Sequence, residues 1–310
     1  MVEVAAPARL HLGFLDLHGG LGRRFGSLGV TLDGVLTRLR LEPAAAPSVE
    51  GSEAERAGRL LRTLGAAWNA PPVRARIAQA IPPHAGLGSG TQLGLALGVG
   101  LARLLGRAAD TRAVAAFLER GARSGIGIGA FEQGGVLLDG GRGAEDGPPP
   151  IVARLAFPEA WRILLILDPS RRGVHGAGER RAFERLPPFP AELAGELCRL
   201  AVMQFLPGVA TAELAAAGRA VSRIQALVGD HFAPFQGGRY TSPSVAAVLG
   251  WLAAEGVAGL GQSSWGPTGF ALLEDADVGE RLQAAAERRF AGEGLRFLLV
   301  RGRNEGAIIG

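Results

Sequence analysis

The chain contains one cysteine, Cys198, and no lysine among its 310 residues. A lone thiol closes no intrachain disulfide and builds no cysteine metal site, so a reducing compartment is expected. All 33 basic residues are therefore arginine, which stays charged at every accessible pH. Any cation that clamps a phosphate must then be an arginine, a metal ion or a helix N-terminus. Set against 29 acidic residues the arginines leave a formal charge of only +4, and no basic run is interleaved with aromatics. Nucleic-acid binding is accordingly not expected. Long apolar runs are scarce as well: the stretch 93–105 is broken by Arg103 and is too short for a bilayer. Neither a membrane span nor an export leader is read from the chain, and a cytoplasmic location is expected.

What is present suits a globular protein. Apolar residues make up 47% of the chain, enough for a sizeable core in one large domain or two modest ones. Thr37, Leu39 and Leu41 alternate with Arg38, Arg40 and Glu42, and Val73, Ala75 and Ile77 with Arg74 and Arg76, the period of half-buried strands. Leu93, Leu97, Leu101 and Leu104 recur at helical spacing, Asp110 predicts an N-cap for a helix through Arg120, and 134–139 predicts a short strand. Residues 140–150 combine glycines, charges and three consecutive prolines, which predicts a boundary between domains 1–150 and 151–310. Beyond it, strands are expected at 151–157 and 161–167, then helix to about residue 229, its last stripe capped by Thr211. A helix at 244–254, a glycine-rich segment at 256–269, and a strand, a helix at 277–290 and a final strand close the chain.

Four segments carry candidate chemistry. At 82–91 a strand leads through Gly86, Leu87, Gly88, Ser89, Gly90 and Thr91 into a helix. Glycines let the backbone approach a phosphate, N–H groups at a helix start point at the anion, and the Ser89 and Thr91 hydroxyls add donors. A plain glycine turn capped by Ser89 is the alternative. Second, an apolar strand through Arg9 and His11 ends at Asp16 and precedes a glycine loop carrying Arg23 and Arg24, which suits a polyanion with or without a metal. A hairpin with solvated charges would look similar. Third, 259–273 presents Ser263, Ser264 and Trp265 at the edge of an apolar strand, as a binding loop or a bulge. Fourth, Asp230, His231 and Arg239 interrupt a helix end, where a lone histidine is more often a cap or surface residue. His11, His84 and His175 show no metal-ligand spacing.

The 6–16 strand, the Pro-x-x-x-Gly-Leu-Gly-Ser-Gly run at 82–90 and the 259–273 segment together resemble the superfamily of galactokinase, homoserine kinase, mevalonate kinase and phosphomevalonate kinase. Longer strings at 9–13, 21–29, 86–92, 123–127, 173–176, 201–204, 229–233 and 261–271 are similar to the beta-ribofuranosylaminobenzene 5'-phosphate synthases within it. The resemblance implies a GHMP-kinase-like α+β fold of two domains, the first like one found in ribosomal protein S5, the second ferredoxin-like. It also implies an enzyme of tetrahydromethanopterin biosynthesis that joins phosphoribosyl pyrophosphate to 4-aminobenzoate and releases carbon dioxide and pyrophosphate. A magnesium ion, no organic cofactor, small-molecule partners and a homodimer follow from the same resemblance.

One departure separates the chain from the kinases. Where they carry a carboxylate after Ser-Gly-Ile, this sequence reads Ser124-Gly125-Ile126-Gly127, and Arg9 stands in for the kinases' lysine. The means of activating an alcohol is lost while the anion loop stays. For the implied reaction, residues 86–91 with Arg23 and Arg24 are expected around the departing pyrophosphate. Asp16 or Asp230 would stand near the sugar or hold magnesium, with His231 alongside. Arg9, Ser263, Ser264 and Trp265 are expected to touch substrate, and Trp265 or Phe232 to stack on the ring. An ATP-dependent kinase and a non-catalytic binding relative are the alternatives, the first opposed by Gly127, the second by the retained loop glycines and arginine pair.

Overall fold

Alternating apolar and charged residues lay down a strand-rich first half. In chain order the strands are β1 (Val2–Asp16), β2 (Phe25–Pro43), β3 (Ser48–Gly51), β4 (Val73–Gln79), β5 (Val136–Asp139), β6 (Ile151–Leu155), β7 (Arg162–Leu167), β8 (Gly259–Gln262), β9 (Gly269–Leu273), β10 (Arg296–Val300) and β11 (Ile308–Ile309). The computed structural model describes residues 1–310 other than 145–146 and 174–175 and the side chains of residues 177 and 180. Seven strands form one sheet in the order β11-β1-β2-β4-β3, with β5 on the first half of β2 and β6 beside β5. In β2, Leu39 and Leu41 are buried while Arg38 and Arg40 are exposed, as the two-residue period requires.

The long strands serve two cores. Val2, Val4 and Ala6 of β1 pack with α1 (Ala54–Trp68) and α2 (Ser89–Leu104), whereas Ala8, Leu10, Leu12 and Phe14 join the main core. β2 changes phase to match. Leu28, Val30 and Leu32 enter the main core and Leu39 and Leu41 the other, and the offset is absorbed near Gly34, at φ 80°. There the pairing jumps from Arg9–Thr31 to Pro7–Leu36. Arg9 and His11 alternate with the core residues and fall on the opposite face of β1. Two short helices, α3 (Thr111–Phe117) and α4 (Ile126–Glu132), complete the first half.

The second sheet runs β10-β7-β9-β8 and is antiparallel throughout, which is the 4-1-3-2 order of a ferredoxin-like βαββαβ unit. Its helices are α5 (Gly176–Arg185), a continuous stretch Ala191–Ala210, then Leu214–Gln236, Pro243–Ala254 and Ala276–Arg289.

Several local expectations change. The sheets do not part at residue 150, because Ile151–Leu155 still pairs with β5 and Ile308–Ile309 returns to β1. Asp110 caps α3 by accepting from the Arg112 and Ala113 N–H groups, but the helix ends at Phe117. Thr211 caps nothing at its helix start; its hydroxyl donates to the Pro207 carbonyl of the preceding turn at 3.0 Å, and Glu213 holds the cap position. The glycine-rich 256–269 segment contains β8. Ala191–Ala210 is long and apolar enough, by length and composition, to cross a bilayer, which run length in the sequence did not reveal. It buries Leu197, Ala201 and Phe205 in the main core and exposes Val202 and Met203.

Candidate active site

The glycine loop joins β4 to α2 and is fastened by two distant segments. Ser263 Oγ donates to the Gly86 carbonyl at 2.7 Å and accepts from the His11 N–H at 3.0 Å. The Arg9 guanidinium donates to the same carbonyl, and the Arg9 N–H to that of Leu87 at 3.2 Å. Gly86 sits at φ 81°, and a Cβ there would lie 2.3 Å from the Ser263 carbonyl oxygen, so only glycine fits. Held this way, the loop opens α2 at Ser89. The Thr91 and Gln92 N–H groups turn back to the Gly88 carbonyl at 3.1 and 3.0 Å. Those of Gly88, Ser89 and Gly90 have no acceptor among the described residues and form an anion cradle at a helix start.

Arginines surround the cradle. An open cleft of about 330 Å³ is lined by the loop, by Arg9, by Arg56 of α1 and by Arg120. A Cβ on Gly90 would come 2.3 Å from the Arg56 guanidinium, which puts that group against the loop. Arg120 Nε is buried without a partner among the described residues. Burial brings Arg9 down to about 10 although Glu179 opposes the shift, and burial together with Arg56 lowers Arg120. Three guanidiniums, one of them Arg56 paired with Glu53 at 3.5 Å, stand beside N–H groups that have no acceptor among the described residues, a field that an anion relieves. Arg56 and Arg120 were missed in the sequence, where each reads as an ordinary surface arginine far from the loop.

Gly127 borders the same cradle. A Cβ there would lie 3.1 Å from Thr91 Cγ2, and the Gly127 carbonyl accepts from Gln92 Nε2 at 2.7 Å. No carboxylate stands at that position.

The structure gathers five other predicted residues elsewhere. The Asp16 carboxylate accepts from the Gly19 N–H at 2.7 Å. Arg23 donates to the Gly140 and Gly141 carbonyls at 2.7 and 2.8 Å, and Arg24 donates to the Leu17 carbonyl at 3.0 Å with its guanidinium 5.4 Å from the Phe25 ring centre. Asp230 is gripped by Arg239 through two bonds of 2.7 and 2.8 Å. His231 lies edge-on to Phe189 at 4.8 Å, and burial and Arg24 lower its pKa. None of these lines the cleft, so Arg23 and Arg24 stand apart from the anion loop around which the sequence reading set them. Among the described residues no three His, Cys, Asp or Glu side chains form a metal cage. His175 lies outside the described residues.

Between the two polar groups stands a cluster of rings. Trp265 stacks on Phe232 with centroids 4.3 Å apart and also lines the cleft. His11 Nε2 and Trp265 Nε1 are buried without partners among the described residues and border a space of about 20 Å³ behind the stack, room for one water. Burial and Arg9 push His11 down to about 3, so it is neutral. Ser264, at φ 57°, lines both spaces. Ser263 is a fastener of the loop.

Residues 54–135 match the family model of the GHMP kinases N terminal domain, and residues 205–292 that of the GHMP kinases C terminal. The beta-ribofuranosylphenol 5'-phosphate synthase of Methanothermobacter thermautotrophicus is 31% identical over 331 aligned positions, covering 99% of this chain and 98% of the relative. That of Archaeoglobus fulgidus is 31% identical over 240, covering 73% and 76%. The phosphomevalonate kinase structure of Streptococcus pneumoniae superposes with a TM-score of 0.67 at 13% identity, over 97% of this chain and 99% of that one. The homoserine kinase structure of Cytophaga hutchinsonii gives 0.64 at 16% identity, over 100% and 97%. At these identities the structures share the fold.

Proposed function

The chain belongs to the beta-ribofuranosylphenol 5'-phosphate synthase family, and on that premise we propose that it condenses phosphoribosyl pyrophosphate with a para-substituted benzoate and releases carbon dioxide and pyrophosphate. It is a phosphoribosyl-transferring enzyme of tetrahydromethanopterin biosynthesis that acts on small molecules. The sequence points to 4-aminobenzoate and the relatives' name to a phenol; either para substituent feeds electrons to the carbon that forms the new bond.

The observation that carries this reading is the convergence of Arg9, Arg56 and Arg120 on the N–H groups of Gly88, Ser89 and Gly90. As the ribose–pyrophosphate bond breaks, negative charge grows on the leaving group, and donors fixed in advance stabilise it without reorganising. Magnesium bound to the pyrophosphate would neutralise part of that charge. The Ser89 and Thr91 hydroxyls line the cleft and have no hydrogen-bond partner among the described residues, so they could hold such an ion, which suits a cation carried by substrate phosphates rather than by a protein cage. The attacking ring carbon bears a carboxylate in place of a proton, so loss of carbon dioxide restores aromaticity and no base is required where Gly127 stands.

Incubation with phosphoribosyl pyrophosphate and either carboxyl-labelled benzoate tests the reading. Labelled carbon dioxide and pyrophosphate should appear in equal amounts. ADP from ATP and a panel of alcohols, without carbon dioxide, would make the chain a kinase.

A further inference from the structure

Helix α5 carries Glu179 and Phe183 one turn apart, so both leave the same face. Both meet Arg123. Glu179 Oε2 stands 2.5 Å from Arg123 Nη2, and the guanidinium lies 4.9 Å from the Phe183 ring centre. The Phe183 ring is also held edge-on by four others, with centroids at 5.9 Å for Phe14, 5.7 Å for Phe25, 5.7 Å for Phe232 and 5.6 Å for Trp265. A phenyl ring in an aromatic cage, with a carboxylate beside it on the same guanidinium, has the chemistry of an aromatic acid.

We propose that Arg123 and this cage are the binding site for the aromatic carboxylate, and that α5 fills the site with Glu179 and Phe183, which the ligand displaces. Glu179 and Trp265 both line the cleft, so the cage opens toward the anion cradle once α5 withdraws. Among the described residues, and besides these two side chains, α5 and its end reach the main core through Ala182 and Leu186, a small apolar attachment. That the natural ligand is a substituted benzoate rests on the function proposed above; the competition between α5 and an anionic ring rests on the geometry alone. Arg123 would hold the carboxylate that later departs as neutral carbon dioxide, so its contribution belongs to affinity and not to the chemical step.

Calorimetric titration of the full chain with benzoate, in the absence of phosphoribosyl pyrophosphate and magnesium, tests the proposal. Glu179→Gln and Phe183→Ala should each tighten benzoate binding at least threefold, because a competitor is removed, and Arg123→Gln should weaken it at least tenfold. Glu179→Gln preserves the packing and decides the matter if Phe183→Ala does not fold. Unchanged or weaker binding by Glu179→Gln, or wild-type affinity in Arg123→Gln, overturns the proposal. The labelled-carboxyl assay on the same preparations separates the two readings. Tightened benzoate binding without carbon dioxide release would sink the synthase and leave the site standing, and carbon dioxide release with unmoved affinities would do the reverse.

Discussion

On one side of the ring cluster Arg120, its Nε buried without a partner among the described residues, stands against a loop whose Gly88, Ser89 and Gly90 N–H groups find no acceptor there. Beside it are Arg9, which donates to the Gly86 carbonyl, and Arg56, which stands 3.5 Å from Glu53. On the other, Arg23 gives two N–H groups to the Gly140 and Gly141 carbonyls and Arg24 gives one to Leu17. The side chain is the same and its surroundings are opposite. A guanidinium facing carbonyls is satisfied and ties loops together, whereas one facing further donors is satisfied only by an anion. Arg23 and Arg24 between glycines looked like an anion site because the pattern does not say which backbone groups lie opposite.

Adding a carboxylate behind the cradle is the severest way to break this contrast. Gly127→Asp would set an anion against Thr91, which lines the cleft, and repel pyrophosphate. We expect kcat/KM for phosphoribosyl pyrophosphate to fall at least ~100-fold, about 2.7 kcal/mol. Steady-state kinetics near the wild-type value would remove the leaving group from this cleft.

How far the site was legible follows from the same residues. The loop could be read because Gly86, Gly88 and Gly90 repeat between a strand and a helical leucine stripe. Arg56 and Arg120 could not, since they reach the loop only once α1 and the end of α3 pack beside α2. The strand β8 escaped because Gly259 and Gly261 look like loop residues. They are glycine because a Cβ on Gly261 would lie 2.4 Å from Gln225 and one on Gly259 would lie 2.8 Å from Leu272. Asp230 was expected near the sugar or on magnesium, and the nine-residue spacing across a helix end did not announce that Arg239 would occupy both its oxygens. The two-domain outline was legible because the strand periods survive wherever one face is buried. The change of sheets was not, because 151–155 alternates as any half-buried strand does.

The two histidines sharpen the contrast through pH. His11, buried beside Arg9, has a folded pKa of about 3 against 6.5 unfolded, while His231 in the other group is only half-buried. The unfolded chain therefore takes up the His11 proton first as pH falls. The stability from neutral His11 is complete above about pH 6.5 and is lost on the way down toward 3, costing about 2 kcal/mol by pH 5. Urea unfolding at pH 7 and pH 5 should show wild type losing that much more than His11→Asn, and equal losses would contradict the assignment.

Isothermal titration of pyrophosphate into wild type, Arg120→Ala and Arg23→Ala tests the central contrast most directly. Arg120→Ala should bind pyrophosphate at least tenfold more weakly, about 1.4 kcal/mol, and Arg23→Ala within about twofold of wild type. Weakened binding by Arg23→Ala with Arg120→Ala unaffected would return the anion site to the arginine pair of the 16–24 loop and contradict that contrast.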